Sequence, residues 1–143
     1  MSFDPPRSAP PRVGPGVEVG IDEAVIRTQV HAFYARVRGD PMLAPVFEAK
    51  IIEWAPHLER MCDFWSSVML MTGRYHGRPM PMHAAIPGIA PEHFQRWLDL
   101  FHETADEVCS PEAARLFVAK AELIGESRQL GIAISRGELP SRD

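Results

Sequence analysis

The sequence has little of what marks several common protein classes. Its two cysteines, Cys62 and Cys109, are far apart and form no CxxC pair, so we expect ordinary buried thiols on helices. No run approaches the roughly 18 apolar residues of a membrane span. No apolar stretch of a signal peptide follows Met1, and a cytoplasmic protein without a membrane partner is therefore expected. The net charge of −4 argues against a nucleic-acid partner, which would need a basic face.

Several motifs of enzyme chemistry are also missing from the sequence. There is no repeated Glu-x-x-His of a helical di-iron site, no HExxH and no GxSxG. The cysteines are isolated from the histidines, which disfavours a zinc site. No glycine-rich phosphate loop and no flavin or nicotinamide motif occurs, so a redox enzyme built on this chain would need an external reductase.

What the sequence does contain is enough for one globular domain. The chain has 143 residues, of which 45% are hydrophobic and 24% charged. Residues 1–20 are rich in proline and glycine and predict an extended or disordered arm. We expect the domain itself at 21–136, followed by a short tail at 137–143.

The spacing of apolar residues, together with residues that typically begin or end helices, predicts an all-α domain. Asp22 suits a helix N-cap, and Gly39-Asp40-Pro41 ends that helix before a tight turn that carries Phe47. Pro56 suits the first turn of the next helix, for which Gly73 is a plausible C-cap. A loop and a short turn around His83 follow, and Pro91 and Ser110-Pro111-Glu112 begin two further helices. The four main helices are predicted at 22–38, 56–72, 91–109 and 111–135.

Two histidines in apolar surroundings are the main candidates for chemistry. His57 lies near the start of an apolar helix, and His83 lies on a short segment between Pro81 and Pro87. A neutral imidazole is a good iron ligand, and haem needs an axial histidine inside an apolar pocket. The simpler interpretation is that each is a hydrogen-bonded core residue. The same choice applies to Tyr34 and Trp97, which lie on core stripes and need hydrogen-bond partners when buried.

Five segments together resemble the truncated haemoglobins, specifically the third group of that family. They are Phe33-Tyr34-Ala35-Arg36-Val37, Leu43-Ala44-Pro45-Val46-Phe47, His57 to Trp65, His83-Ala84-Ala85-Ile86-Pro87 and Phe94 to Phe101. The resemblance covers about residues 22–135, in order and with fitting spacing. The glycine pairs of the first two groups are missing, which is itself typical of the third.

The resemblance implies a two-over-two helical sandwich that holds b-type haem. His83 matches the proximal iron ligand, and Tyr34, His57 and Trp97 match the polar residues of the distal pocket, which would act on a bound ligand. Phe47 matches the aromatic residue that stacks on the haem, and Arg60 is expected to reach a propionate. The expected lining of the apolar cleft consists of Phe33, Met61, Phe64, Ile86 and Ile89.

The family likeness leaves the activity open. Donors at Tyr34, Trp97 and His57 suit tight O2 binding, or chemistry on O2, NO, nitrite or peroxide of the NO dioxygenase, nitrite reductase or peroxidase-like kind. A gas sensor that signals to a separate partner and a haem-free helical module that binds a protein are the alternatives. Because His57 lies near a helix end, it is expected to point inward to the ligand or to act as a gate to solvent, and we favour the gate.

Overall fold

The computed structural model describes residues 14–75 and 90–135, with side chains up to residue 125 in the last helix. Both ranges are helical and contain no strand, which confirms the all-α prediction for this part of the chain. Within these two ranges, a short 3-10 helix, Val17–Val19, precedes five α-helices. They are α1 (Glu23–Gly39), α2 (Ala44–Lys50), α3 (Trp54–Leu70), α4 (Pro91–Val108) and α5 (Pro111–Ser135).

The helices begin close to where their capping residues predict. The Asp22 carboxylate accepts a hydrogen bond from the backbone N–H of Val25 at 2.9 Å, which satisfies one of the free donors of α1. The Ser110 hydroxyl oxygen accepts from the N–H of Ala113 at 3.2 Å and does the same for α5. At α4 the backbone N–H of Ala90 donates to Nδ1 of His93 at 2.9 Å, so His93 has a capping role.

Two boundaries differ from the sequence prediction. The predicted tight turn is present at residues 41–43, where the Asp40 carboxylate accepts from the N–H groups of Met42 and Leu43 at 3.1 and 3.0 Å, but Phe47, expected on that turn, lies on the helix α2 that follows it. Gly73 does not cap α3. The helix ends at Leu70, and Met71 adopts the left-handed conformation with φ 57° while its N–H donates to the carbonyl of Ser67 at 3.1 Å.

The segment 14–20 belongs to the folded domain, which corrects its assignment to the N-terminal arm. The backbone N–H of Gly16 donates to the carbonyl of Met69 at 2.8 Å, at the end of α3. Gly14 and Gly16 are buried, and a Cβ on Gly14 would overlap the backbone of Met69 and Leu70. Only glycine therefore permits this close approach. The rest of the predicted arm, 1–13, and the tail lie outside the described residues.

The helices pack in the predicted two-over-two arrangement. Helix α1 packs against α3 and α4, α4 packs against α5, and α2 packs on α1. Aromatic rings fill the space between the pairs, with Phe101 stacked at 5.1 Å on Trp65 and at 5.7 Å on Trp97, measured between ring centroids. The fully buried Gln29 donates through Nε2 to the carbonyl of Phe101 at 3.2 Å. These contacts hold α1 and α4 in a fixed relation, and the candidate site lies between them.

Candidate functional site

Three buried polar side chains from three different helices come together in the aromatic core. Tyr34 of α1 is 4% exposed, His57 of α3 is 3% exposed and Trp97 of α4 is 5% exposed. The rings of Tyr34 and His57 meet edge to face, 5.0 Å apart between centroids. Phe33 lies 4.8 Å from Tyr34 and 5.6 Å from Trp97, and so joins the third residue to the first two. The structure thus brings together the three residues expected to face a bound ligand.

The positions of these rings follow from the way each helix packs. Phe33 is fully buried and packs edge to face on Phe101 at 5.0 Å. Trp97 stacks on Phe101 with an interplanar angle of 14°. Because closely packed aromatic rings have few alternative rotamers, the indole is held in one orientation. The site is therefore largely preformed on helices α1 and α4.

A partly buried ion pair fixes α4 next to Trp97. Nε of Arg96 donates to Oδ1 of Asp40 at 2.8 Å, and the Asp40 carboxylate is almost fully buried. Burial alone raises the pKa of Asp40, but the hydrogen bonds from Arg96 and from the N–H of Leu43 outweigh it and hold that pKa below its ordinary value. Arg96, the residue that precedes Trp97, is thereby bonded to Asp40 at the turn between α1 and α2.

The predicted apolar lining falls partly within the described residues. Phe47 and Met61 are buried, and Phe47 lies 6.4 Å from Tyr34 between ring centroids. Phe64 is half-buried, and its ring lies 5.5 Å from Trp65 and 5.3 Å from Tyr75 between centroids. The ring contacts described for Phe64 are therefore to these two residues and not to the three polar residues of the site. Arg60 is exposed on α3. His83, Ile86 and Ile89 lie outside the described residues.

The chain that leads towards His83 is anchored where it leaves α3. The hydroxyl of the buried Ser66 donates to Oε2 of Glu23 at 2.8 Å and lies 2.8 Å from the hydroxyl of Thr72. Arg74 forms an ion pair with the same carboxylate at 3.1 Å. The N–H of Tyr75 donates to the hydroxyl oxygen of Ser67 at 2.9 Å. Residues 72–75 are thus fixed to α3 and to the start of α1.

Trp54 is a site residue that the sequence reasoning missed. It is the first residue of α3, and its ring lies 5.7 Å from His57 and 5.9 Å from Tyr34 between centroids. Trp54 lies three residues before His57 on the same helical face, but the helix predicted from residue 56 leaves it outside, so the sequence prediction contains no signal for it. His57 itself packs inward between these two aromatic rings.

The residues present fit one side of a haem pocket. A tyrosine hydroxyl, an imidazole and an indole are grouped among apolar rings from which water is largely excluded. The tyrosine and tryptophan carry hydrogen-bond donors, and the imidazole donates in one of its tautomers. Such a donor set suits a bound ligand that carries partial negative charge, and the aromatic wall suits a flat apolar macrocycle. This combination of fold and site is that of a short, two-over-two globin.

Comparison with known proteins identifies the same class. The family model described as bacterial-like globin matches residues 18–121. A group 3 truncated haemoglobin of Campylobacter jejuni is 31% identical over 113 residues, which are 76% of this chain and 89% of that protein. The crystal structure of a group III truncated haemoglobin from Campylobacter jejuni superposes with a TM-score of 0.73 at 31% identity, covering 76% of this chain and 89% of that one.

A more distant structure shares the fold alone. The group II truncated haemoglobin from Bacillus anthracis superposes with a TM-score of 0.69 at 20% identity, over 82% of this chain and 91% of that one. The chain belongs to the bacterial-like globins, and within them to the group III truncated haemoglobins. It is therefore a haem-binding globin. Within the described ranges, no helix is long and apolar enough to cross a membrane.

Proposed function

We propose that this globin holds b-type haem in the cleft beside Tyr34, His57 and Trp97 and uses these residues to bind O2 tightly. The observation that carries the proposal is the convergence of three nearly fully buried polar side chains, one each from α1, α3 and α4, on the aromatic cluster around Phe33. Burying one polar side chain has a structural purpose in many cores. Three such groups from three helices around one aromatic cluster match the few convergent polar groups in apolar surroundings that are typical of a ligand site.

The proposal assigns a role to each predicted residue. His83 is the proximal ligand of the iron, and Phe47 stacks on the macrocycle. Arg60, exposed on α3, is free to reach a propionate. The apolar lining consists of Phe33, Met61, Phe64, Ile86 and Ile89. When bound, haem supplies an iron atom to which small ligands such as O2 and NO attach.

The donors act by electrostatic preorganisation. The Tyr34 hydroxyl and the Trp97 indole N–H are each able to donate a hydrogen bond to a ligand that carries partial negative charge. Their rings are held by packing on Phe33 and Phe101, so little reorganisation is needed when the ligand arrives. In a dry pocket such bonds are stronger than in water, which slows ligand release.

Turnover of the ligand is the second candidate function. Three potential donors exceed what simple reversible storage requires, and this excess favours chemistry on O2, NO, nitrite or peroxide. The chain has no flavin or nicotinamide motif, so an external reductase stays part of this prediction, as does the cytoplasmic location. A sensor that signals to a separate partner is the remaining alternative, whereas membership of a haem-binding family disfavours the haem-free module.

The proposed ligation is tested by titrating the purified protein with haemin and recording the Soret band. The wild type should bind one equivalent and, after reduction with dithionite, give a ferrous spectrum typical of histidine ligation. The variant His83→Ala should lose tight haem binding or change that spectrum. The matched control is His76→Ala, a histidine of the same segment. If His83→Ala keeps the wild-type spectrum and His76→Ala loses it, His76 is the ligand. A wild type that stays colourless with haemin would overturn the proposed function.

A further inference from the structure

A cluster of three side chains lies on the outer side of the candidate site and has no role in the proposed function. It consists of Trp54, Arg38 and Glu48, one each from α3, α1 and α2. The Arg38 guanidinium carbon lies 4.7 Å from the centroid of the Trp54 ring. Nε1 of Trp54 donates to Oε2 of Glu48 at 3.4 Å, and Nε of Arg38 lies 3.5 Å from Oε1 of the same carboxylate. We refer to these three residues as the Trp54 cluster.

The Trp54 cluster lies between the buried rings of the site and solvent. On its inner side Trp54 contacts Tyr34 and His57 at 5.9 and 5.7 Å between ring centroids. On its outer side, the side chains of Arg38 and Glu48 are 49% and 47% exposed. Trp54 itself is half-buried. It is thus the residue through which the packing of His57 and Tyr34 is connected to the surface.

The contacts that hold Trp54 on its outer side are weak ones. Ion pairs and cation–π contacts at exposed sites contribute little, because water and salt screen them. The hydrogen bond to Glu48 is long, at 3.4 Å. In addition, Glu53, the N-cap of α3, makes no capping hydrogen bond with its side chain, so the first turn of α3 is held by few local bonds. On this side little holds Trp54 in place, and the packing on Tyr34 and His57 is its main support.

We propose that Trp54 is a gate for small ligands, held closed by Arg38 and Glu48, and that its opening sets the rate at which a gas reaches the pocket behind His57. This deepens the proposed function and rests on it. His57 is 3% exposed and packed against Trp54, so it cannot swing to solvent without displacing that ring. On this proposal Trp54 moves before His57 does.

A gate has a kinetic signature that separates it from a hydrogen-bond donor. Loosening a gate lowers the barrier for association and dissociation alike, and so leaves the equilibrium affinity unchanged. A donor to the ligand slows dissociation and raises the affinity. Because the ionic contacts of the gate are exposed, added salt should weaken them and speed both rates.

The test measures CO association by flash photolysis and CO dissociation by replacement with NO, on haem-loaded protein. Arg38→Met and Glu48→Gln change exposed side chains and should speed both rates by about two- to fivefold, as expected for the loss of one exposed ionic or cation–π contact. Trp54→Ala should speed both rates further. The matched control is Glu59→Gln, which removes the ion pair between Glu59 and Arg27. That ion pair also joins α1 and α3, and the side chains of Arg27 and Glu59 are 53% and 59% exposed, so it resembles the contact between Arg38 and Glu48 but lies away from Trp54.

Two further readouts complete the test. Raising NaCl should speed association in the wild type and have a smaller effect in Glu48→Gln. In 5-fluorotryptophan-labelled protein, the 19F signal that disappears in Trp54→Phe should show exchange broadening that depends on salt. Unchanged rates in all three cluster variants, or a change in dissociation alone, would overturn the inference while haem binding and the proposed function stand. A wild type that binds no haem would overturn both.

Discussion

At the scale of single residues, Tyr34 is expected to contribute the main hydrogen bond to bound O2. Its ring is buried and is held by edge-to-face packing on Phe33 and His57. A hydrogen bond to a partly charged acceptor contributes roughly 1.5–3 kcal/mol. Tyr34→Phe should therefore speed O2 release by about ten- to hundredfold, as measured by stopped flow.

The other tyrosine of the chain supplies the control for this prediction. Tyr75 is half-buried and also packs on a phenylalanine, Phe64, but it lies at the end of the described segment after α3. Tyr75→Phe should leave the rate of O2 release close to that of the wild type. If Tyr34→Phe also leaves that rate unchanged, the role belongs to Trp97 or His57.

Asp40 makes the stability of the protein depend on pH in a defined direction. The pKa of Asp40 is lowered in the folded state, so the folded state favours the ionised carboxylate. The resulting stabilisation is present above the ordinary aspartate pKa of about 3.9 and is lost as the pH falls through the lowered value. Asp40→Asn should destabilise the fold at pH 7 by about 1–3 kcal/mol, the usual range for a charged hydrogen bond.

Urea unfolding at a series of pH values tests this prediction. The difference in unfolding free energy between Asp40→Asn and the wild type should shrink as the pH falls below about 4, because the Asp40 carboxyl of the unfolded chain takes up its proton there while that of the folded protein is still ionised. Asp99→Asn is the control, since Asp99 is exposed on α4, the helix that also carries Arg96, and accepts only from Gln95 among the described contacts. A difference that does not vary with pH would mean that the ionised form of Asp40 does not matter.

At the scale of elements, the segment 14–20 acts as a strap across the end of α3. Its attachment depends on the close approach of Gly14 to Met69 and Leu70 and on the hydrogen bond from Gly16 to Met69. Gly14→Ala should displace the segment 14–20 from the end of α3 and lower the free energy of unfolding by about 1–3 kcal/mol, as overpacking commonly does. Thermal unfolding measures this effect.

A second glycine provides the comparison for Gly14. At Gly39, the last residue of α1, a Cβ would meet nothing within 4 Å, and Gly39→Ala should be neutral or slightly stabilising. If Gly14→Ala is also neutral, the strap adds nothing to the stability of the domain, and the sequence-based boundary at residue 21 is the better description of the folding unit.

The elements also show why sequence reasoning located helices better than their ends. The starts of α1 and α5 were predicted because Asp22 and Ser110 act through local bonds, three residues along the chain. The helix α2 was missed because it depends on Asp40, whose carboxylate is held by Arg96 on α4. The end of α3 was misplaced because Met71, a residue that rarely adopts a positive φ, takes the position expected of glycine.

At the scale of the whole molecule, the fold and the grouping of Tyr34, His57 and Trp97 could be predicted, and Trp54 could not. The three site residues were found because the order and spacing of five segments resemble those of a known family. Trp54 carries no such signal, since its importance comes from contacts to α1 and α2 that apolar spacing does not encode. The strap was missed because proline and glycine are typical of arms as well as of close backbone packing.

Because the three polar residues lie on α1, α3 and α4, the rate of ligand release should also report whether these helices are packed together. Because each helix carries only one of them, no single helix and no intermediate in which one of these three helices is undocked brings the complete set together. Slow release of O2 is then a property of molecules in which all three helices are docked together. A population that contains loosened molecules should release O2 in separate fast and slow phases, and the size of the fast phase would report how many molecules have lost their tertiary order.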